Sequence, residues 1–357
     1  MKQLYLLLLL FMGSVLYAQN QDDSVISKGW GDMIEHAIPE MPAINMLDNK
    51  PSNIITPSTV KEIAFEVIDY KSFGVELSPM LCSPNLNLAG YNKYKFWYRM
   101  RLSLGTMQLD DGSWQIAEGI RFTIIDKTDL RDNSLREYHE SLINLGFDKI
   151  YQTEEAIRKY DSIKGVNDTW DKYFIEKDQL VRQEVDALLD KNIDEKINAL
   201  RAQKKKELWN APIWEMGFAS MQASDESNFN NFRFRKFGFW TTFGAHFGNV
   251  KTKFGQNNQI LFSGKFELID STQTTYPKIA ASTRFYYGKN ELRLFIQGGY
   301  EYINNISSGT AALGAVFKIY DGIWIYPILN FKYGDGNPVQ FEPRVTLLFG
   351  MQKKKFT

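Results

Sequence analysis

Apolar and polar residues alternate along most of this chain, and the stretch ELRLFIQGGYEYI near its end is a typical example. Leu292, Leu294 and Ile296 share one parity and Arg293 has the other, with Phe295 as the one clear exception. Successive side chains of an extended strand point to opposite faces, so a period of two predicts a strand. One strand alone does not indicate which of its faces meets the interior of the protein.

Eleven further segments show the same alternation, which gives twelve in all. Several run for about ten residues, which is the length that a tilted strand needs to cross a bilayer. Turn-forming sequences separate them, such as DDGS at Asp110, GKNE at Gly288, DG at Asp321 and GDGN at Gly334. The array therefore predicts an antiparallel meander. In chain order the segments centre on Ile63–Val67, Phe73–Leu77, Phe96–Leu104, Ile116–Ile124, Trp214–Phe218, Phe237–Phe247, Ile260–Leu268, Ile279–Tyr287, Leu292–Tyr302, Leu313–Ile319, Ile323–Phe331 and Phe341–Phe349.

Ionic side chains lie in the middle of these segments, opposite continuous aliphatic and aromatic faces. A soluble sheet buries its apolar face in protein, whereas a transmembrane barrel turns that face to lipid and encloses the polar one. The long strands favour the barrel over a secreted sandwich or a soluble barrel. The predicted fold is an all-β transmembrane antiparallel barrel of about 12 strands, within a range of roughly 10–14, with a long charged α-helical insertion. The charged side chains predicted to face the lumen are Arg99, Arg101, Arg121, Lys265, Glu267, Arg284, Arg293, Glu301 and Arg344.

The first residues have the features of a secretory signal peptide. In MKQLYLLLLLFMGSVLYAQ, Lys2 precedes an apolar run, and cleavage is expected after Ala18. The run falls short of the about 20 apolar residues of a membrane helix, so an N-terminal membrane anchor is the less favoured alternative. No later segment is apolar for long enough to form such a helix. Any further membrane span would therefore be made of strands.

The remaining pattern divides the chain into regions. The polar, Pro-containing segment that follows the signal peptide is expected to be irregular. Residues 58–69 could form either the first strand or a helix, because Thr59 and Glu62 have the spacing of a capping box. Such a helix could lie in the lumen as a plug. The predicted regions are a signal peptide at 1–18, an irregular N-terminal segment at 19–57, the first barrel strands at 58–126, a helical insertion at 127–210, the remaining strands at 211–351 and a basic tail at 352–357.

The insertion at 127–210 breaks the alternation and is rich in charged residues. Thr153 is predicted to cap a short helix, and Asp168 to cap a second helix that runs to about Lys206. The second helix carries one apolar stripe, which either packs on the preceding helix around Leu135–Leu145 or meets another protein. The self-packed hairpin is favoured, and the docking arm is the functional hypothesis. The stripe residues, which would face a partner in that hypothesis, are Phe174, Val181, Val185, Leu188, Ile193, Ile197 and Leu200.

Several features together resemble an uncharacterised outer-membrane β-barrel protein of a Gram-negative-type envelope. They are the signal peptide, the even number of alternating strands, an aromatic content of 14% and a single cysteine, Cys82. The stretch PSNIITPSTVKEIAFEVID also resembles a Pro- and Ser/Thr-rich preface of uncharacterised outer-membrane proteins. The resemblance implies export to the outer membrane and a lipid bilayer around the strands. Barrels of this class usually end on an aromatic residue, whereas Phe356 is penultimate here.

The sequence indicates no enzyme, no cofactor and no metal site. Its histidines are His36, His139 and His246. His246 has the inward parity but lacks the Tyr-Thr-His-x-Ser-Asn-Gly arrangement of outer-membrane phospholipases, so we expect a hydrogen-bonding group of the lumen rather than a base. Cys82 alone excludes an intrachain disulfide, and no metal-ligand spacing occurs. Lys plus Arg equals Asp plus Glu at 42 each, so nucleic acid is not indicated as a partner.

Two functional hypotheses follow from the pattern. In the first, the barrel is a membrane-anchored scaffold that presents the helical insertion to a periplasmic protein partner. If both ends of a twelve-strand array are periplasmic, strand parity places the insertion there too, together with the tight turns at Gly288 and Asp321. The alternative is a passive pore or small-solute channel that prefers anions, because most of the lumen charges are positive. A crowded lumen favours the first hypothesis. The aromatic residues on the inward parity are Trp97, Trp240, Trp324 and Tyr326.

Overall fold

A computed structural model describes residues 41–47, 63–69, 72–82, 88–189, 192–224, 231–249, 251–270, 274–289, 291–320, 323–334 and 337–351. The expected signal peptide, most of the segment 19–57 and the basic tail 352–357 lie outside the described residues. The chain forms two compact units. The barrel unit ends at Arg131 and resumes at Lys206, and the insertion unit is Asp132–Lys205.

Twelve antiparallel strands form a closed barrel, in which each strand pairs with its neighbours in sequence and the first strand pairs with the last. This confirms the predicted fold class. The strands are β1 (Ile63–Asp69), β2 (Ser72–Leu77), β3 (Met100–Gln108), β4 (Trp114–Asp126), β5 (Ile213–Ser224), β6 (Phe232–Ala245), β7 (Asn258–Asp270), β8 (Thr275–Gly288), β9 (Leu292–Ile303), β10 (Ile306–Tyr320), β11 (Ile323–Gly334) and β12 (Asn337–Met351). The α-helices among the described residues are α1 (Pro42–Met46), α2 (Leu88–Lys93), α3 (Lys95–Tyr98), α4 (Arg136–Lys164), α5 (Gln179–Asp186), α6 (Asn192–Leu208) and α7 (Lys253–Gln256).

The strands turn their apolar side chains outward and their ionic side chains inward. On β9, Leu294 is 60% exposed, whereas Arg293 and Phe295 are 2% and 3% exposed. Phe295, the exception in the sequence pattern, is thus an aromatic side chain of the interior. Glu118 of β4 is a charged exception on the outer face, where the Ser220 hydroxyl donates a hydrogen bond to it over 3.0 Å. An apolar outer surface around enclosed charges is the arrangement that a bilayer requires.

The region 58–69, for which the sequence allowed either a strand or a helix, is a strand throughout its described part, Ile63–Asp69. Residues Ile63–Val67 pair with β12 on one side and with β2 on the other, so this part of 58–69 does not form the alternative helix. A barrel closes only if its first and last strands pair, because an unpaired strand edge cannot be satisfied in lipid. Residues 58–62 lie outside the described part of the chain.

The third strand is shorter than predicted. It begins at Met100, and the residues before it form α3 instead of extending the strand back to Phe96. The physical reason is that β2 ends at Leu77, opposite Leu102, so an extended chain before Met100 would have a neighbouring strand on the β4 side only. Helical bonds satisfy the backbone instead, such as the one from Arg99 N to Lys95 O at 2.9 Å. Trp97, predicted to point inward, is 52% exposed on α3.

The longest connections all lie at one end of the barrel. Where β1 begins and β12 ends, which we call the terminal end, strand order places the connections 78–99, 127–212 and 246–257, and also the tight turns after Gly288 and Tyr320. The connection that contains the insertion therefore leaves and re-enters the barrel at the same end as these two turns, as strand parity predicted. The opposite end has short connections at 70–71, 109–113, 225–231, 271–274, 304–305 and 335–336.

The insertion unit is helical, but its helices differ from the predicted ones. Thr153 lies within the continuous helix α4, where its hydroxyl donates to Lys149 O over 2.8 Å instead of capping a helix. A hydroxyl in mid-helix can bond to the carbonyl of the preceding turn, which allows α4 to continue. The helix predicted from Asp168 to Lys206 is divided into a π-helical turn, α5 and α6. The break lies at Lys177, which has a φ of 55°. Asp178 then caps α5 by accepting hydrogen bonds from the next backbone N–H groups.

Candidate functional site: the barrel lumen and the insertion

The short helix α1 lies inside the barrel. It packs against β2, β3, β4 and β5. Lys236 of β6 donates to Met46 O over 3.4 Å, and Lys265 of β7 donates to Asn45 Oδ1 over 2.6 Å. A helix of 5 residues can touch six consecutive strands of a closed cylinder only from within. The sequence prediction of an irregular segment at 19–57 did not include this helix. Its signal was a short apolar run, MPAINML, with Pro42 at the first helical turn.

Glycines of the inner wall form the groove that holds α1. A Cβ added to Gly74 would lie 2.7 Å from Ile44 Cδ1, and one added to Gly105 would lie 3.2 Å from the same atom. These two glycines are directly opposite each other on β2 and β3. Gly238 of β6 has the same role beside Met46, whose Sδ would lie 3.0 Å from an added Cβ. Only the absence of side chains at these positions lets α1 approach the wall.

Substituting Gly74 with valine is expected to displace α1 and to destabilise the barrel by about 1–3 kcal/mol through overpacking. The midpoint of urea unfolding in detergent micelles, followed by tryptophan fluorescence, measures this change. Gly298→Val is the matched control, because an added Cβ at this outward glycine of β9 meets no atom within 4 Å. Equal unfolding midpoints for the two variants would contradict the proposed groove.

A balanced group of charges spans β2 to β5 near the terminal end of the lumen. Arg121 bonds to Glu76 and also to Glu215, with its Nη1 3.3 Å from Glu215 Oε2. Arg101 bonds to Glu215, and its Nη1 lies 3.7 Å from Glu76 Oε1. Each of these side chains is at most 3% exposed. Two guanidinium groups are thus neutralised by two carboxylates within the barrel wall.

A second group of charges crosses the other half of the lumen. Lys265 lies 2.9 Å from Glu267, and Lys278 bridges Glu267 and Glu301 at 3.5 and 3.1 Å. Lys332 completes the row, with its Nζ 3.1 Å from Glu301 Oε1. This row joins β7, β8, β9 and β11. Such pairs fill the interior and tie strands together that are distant in sequence.

Most of the charges predicted to face the lumen do so. The two exceptions are Arg99, which lies elsewhere, and Arg344, whose side chain is not described. Arg99 lies between α3 and β3, outside the strand, and pairs with Asp129 at 2.9 Å. Arg344 belongs to β12, and its side chain lies outside the described residues. His246 follows the last residue of β6 and so is not an inward strand residue. The predicted residues that lie inward and are buried are Arg101, Arg121, Lys265, Glu267, Arg284, Arg293 and Glu301, together with the aromatic residues Trp240, Trp324 and Tyr326.

A buried cluster that the sequence prediction missed lies in the connections at the terminal end. Asp129 accepts hydrogen bonds from Arg99 and Arg131, each over 2.9 Å, and from the Tyr91 hydroxyl. The Arg131 guanidinium also lies 4.1 Å from the centre of the Tyr91 ring. Burial alone would raise the pKa of Asp129, but Arg131 and Arg99 outweigh it and hold that pKa below its usual range. Burial raises the pKa of Tyr91, so its hydroxyl remains a donor.

The stripe residues predicted to face a partner instead belong largely to the core of the insertion. Val185 is fully buried with Ala156 and Ile157 of α4, and Phe174, Val181 and Leu188 pack against this cluster. Ile193 is also buried, and Ile197 and Leu200 are partly buried. This is a self-packed arrangement, but the stripe contacts Ala156 and Ile157 of α4 rather than the predicted region around Leu135–Leu145. A surface for a protein partner would therefore lie on another face of the insertion.

That face is on α4. Ile143, Phe147, Ile150 and Tyr151 are 55%, 66%, 42% and 73% exposed. Their spacing of four, three and one residues places them on the same side of the helix. We call these four residues the α4 stripe. Scattered exposed apolar residues are normal, but four large ones on one helix face are a feature of binding surfaces.

Comparison with known proteins gives no match in sequence: no family model and no curated protein matches the chain. Among solved structures, a loop-deletion mutant of OmpT, an outer membrane protein of Vibrio cholerae, is similar over 78% of this chain and 62% of that one, with 6% identity and a TM-score of 0.32. The match therefore spans less than two thirds of the OmpT chain. The β domain of the Bordetella autotransporter BrkA is similar over 78% of this chain and 83% of that one, with 6% identity and a TM-score of 0.27.

The closed twelve-stranded array, apolar outside and ionic within, decides the architecture. The chain has the fold of an outer-membrane β-barrel. None of the helices that the structure describes has both the length and the apolar character of a membrane span. Across the described ranges, no group of three or more His, Cys, Asp or Glu side chains could hold a metal ion.

Proposed function

We propose that this protein is a scaffold of the outer membrane: the barrel anchors it in the bilayer, and the helical insertion presents the α4 stripe to a protein partner in the periplasm. The observation that supports this proposal best is the stripe itself, with Phe147 66% exposed at its centre. Burying apolar surface is the main favourable contribution to protein association. We assign the chain no catalytic role.

The stripe indicates the kind of partner that would fit it. Ile143, Phe147 and Ile150 follow one another at spacings of four and three, and Glu140 and Glu154 continue the same spacing at either end. This is the repeat of a two-helix seam with an apolar centre. The complementary partner is a helix with an apolar centre and with lysine or arginine near the ends of its seam.

The contents of the lumen support a scaffold more than a pore. The helix α1 and the paired charges occupy the interior, and Trp240 and Trp324 are 1% and 0% exposed there. The alternative, a passive pore or small-solute channel that prefers anions, is supported by the excess of lysine and arginine on the inner wall. Planar-bilayer recording separates the two functions, because a steady anion-selective current from the native protein would favour the pore.

A Phe147→Glu/Ile150→Glu variant is expected to reduce capture of the partner by about tenfold or more, because it places two charges in the centre of the seam. A photo-crosslinking residue at Asn144, next to the stripe, reports the capture in cells. The control is Ile163→Glu, since Ile163 is on the same helix and 64% exposed but faces away from the stripe. Equal crosslinking in all three proteins would refute docking at the stripe.

The proposal also requires the insertion to lie in the periplasm. Outer-membrane barrels usually have short turns on the periplasmic side and longer loops on the outer side. The terminal end of this barrel carries both its long connections and two tight turns, so its side of the membrane has to be measured. A Ser162→Cys variant in a Cys82→Ser background tests this location by chemical labelling. An impermeant maleimide is expected to label Ser162→Cys only after the outer membrane is permeabilised. Labelling in intact cells would place the insertion outside and overturn the proposal.

A further inference from the structure

One buried arginine of the lumen differs from the others in its surroundings. Arg293 points inward from β9 and is 2% exposed. It makes no ion pair with the described residues, and its Nε makes no hydrogen bond to them. Arg101 and Arg121, on the other side of the same lumen, each bond to carboxylates. A buried charge normally has a partner of opposite charge, since water no longer solvates it.

The groups around Arg293 are aromatic or positively charged. Its guanidinium lies 5.0 Å from the centre of the Tyr286 ring and 5.4 Å from that of Trp209. Arg284 lies 5.7 Å from the same Tyr286 ring, so the two guanidinium groups share one aromatic neighbour. Ring faces attract a cation, but they supply no acceptor in the plane of its N–H groups. Glu291, at the turn before β9, is a carboxylate that interacts electrostatically with Arg293, but it is exposed and makes no ion pair with it.

The adjacent wall adds further donors. Trp324 of β11 is fully buried, and its indole N–H makes no hydrogen bond to the described residues. Lys318 of β10 lies directly opposite Trp324, and its Nζ is 5.8 Å from the centre of the Trp324 ring. Val316, two residues before Lys318, is opposite Arg293. The strand register thus places the Lys318 ammonium group and the Trp324 indole N–H two residues closer to the terminal end than Arg293, on the same inner wall.

We propose that this part of the lumen binds a small oxyanion, such as a phosphate or carboxylate group. Arg293 is the principal ligand, Trp324 and Lys318 supply further donors, and the Trp209 ring covers the guanidinium. An oxyanion provides Arg293 with a paired negative charge and with several acceptors in the geometry that a guanidinium prefers. The site lies on β8 to β11, whereas the contacts of α1 described above involve β2 to β7. It is independent of the proposed scaffold function.

Calorimetric titration of the purified full chain in detergent micelles with inorganic phosphate tests this site, against sodium chloride of equal ionic strength. The native protein is expected to bind phosphate in the presence of chloride. Arg293→Gln is expected to weaken binding by about tenfold or more, because hydrogen bonds to charged groups are lost. Arg293→Lys keeps the charge but not the forked donors, so its affinity is expected to fall between the two.

Lys332→Gln is the control for the general positive potential of the lumen. It removes one lumen cation that already pairs with Glu301, so its phosphate affinity is expected to remain within about twofold of the native value. Binding that is equally weakened by Lys332→Gln and Arg293→Gln would overturn the site in favour of the general potential. The absence of binding above the chloride control for both phosphate and succinate would also overturn it. If Arg293→Gln does not assemble, the comparison of Arg293→Lys with Lys332→Gln decides in the same way.

Repeating the titration with succinate distinguishes the two oxyanion classes. Tighter binding of phosphate than of succinate assigns the site to a phosphate group, and the reverse order assigns it to a carboxylate. Either order of affinity supports the proposal, provided that Arg293→Gln abolishes the difference between phosphate and succinate binding. A preference that Arg293→Gln leaves unchanged would contradict it.

Discussion

Replacing Glu215 with alanine is expected to destabilise the barrel by about 3–5 kcal/mol, because it leaves buried arginines without enough negative charge. Arg101 bonds to Glu215, and Arg121 Nη1 lies 3.3 Å from its other oxygen. The Thr123 hydroxyl also donates to it over 2.9 Å. After the substitution, Glu76 is the one carboxylate of this group left for two guanidinium groups. Neither arginine can reach water, since each is at most 1% exposed.

The free energy of unfolding in urea, measured in detergent micelles, tests this prediction. Glu118→Ala is the matched control: Glu118 is on the outer face and accepts a hydrogen bond from Ser220. Removing a charge from the lipid-facing surface is expected to leave stability unchanged or to raise it. The double variant Glu215→Gln/Arg121→Met is expected to recover part of the loss, because it removes a positive charge with the negative one. A loss below about 1 kcal/mol in Glu215→Ala would contradict the role of the pair.

The orientation of the strands could be predicted from the sequence because lipid imposes a strict period of two. Arg293 and Leu294 are neighbours in the chain, and the structure buries one and exposes the other. Even Phe295, which breaks the pattern, belongs to the inward parity and packs on Tyr286 there, with ring centres 5.5 Å apart. Each strand carries this information locally, so no knowledge of the partner strands was needed.

The features that could not be predicted depend on residues far apart in sequence. The helix α1 fits the lumen because Gly74 and Gly238 leave room for it, and these glycines lie on strands distant from it in the chain. The third strand stops at Met100, two residues beyond the point where its neighbour β2 ends, and no local signal marks that limit. An amphipathic stripe likewise does not identify what covers it. Val185, in the stripe predicted to meet a partner, is covered by α4 of the same chain.

Among the candidate site residues, Arg99 shows why parity alone can mislead. It shares the parity of Arg101, which faces the lumen and bonds to Glu215. The chain, however, is helical just before Arg99, and its guanidinium turns to Asp129 in the next connection. The sequence Asp129-Leu130-Arg131 does not by itself predict a buried cluster. Tyr91, which also donates to Asp129, comes from the connection between β2 and β3.

Substituting Asp129 with asparagine is expected to cost about 3–5 kcal/mol at neutral pH, because Arg99 and Arg131 would lose the one carboxylate to which both of them donate. The buried Asp126 interacts with Arg99 without replacing that pair. Both arginines are largely buried, at 4% and 6% exposure, and each donates to Asp129 over 2.9 Å. Unfolding in urea measures the global loss. Limited proteolysis within 127–132 is expected to become faster in the variant, which locates the loss in this connection. The control Asp111→Asn, in the exposed turn between β3 and β4, is expected to change neither measurement.

The dependence on pH distinguishes a charge effect from a packing effect. The folded-state pKa of Asp129 is below its unfolded value, so the folded protein binds fewer protons than the unfolded chain between the two values. The contribution of Asp129 to stability is therefore fully present above its unfolded pKa of about 3.9, and it is lost as the pH falls through the folded value. The difference in stability between the native protein and Asp129→Asn should hence shrink as the pH falls below about 5. The buried Asp126 carboxylate, which interacts electrostatically with Asp129, adds to the pH dependence of this difference above that value. A difference that stays the same in strong acid would show that the carboxylate acts through packing alone, and that the arginines beside it do not depend on its charge.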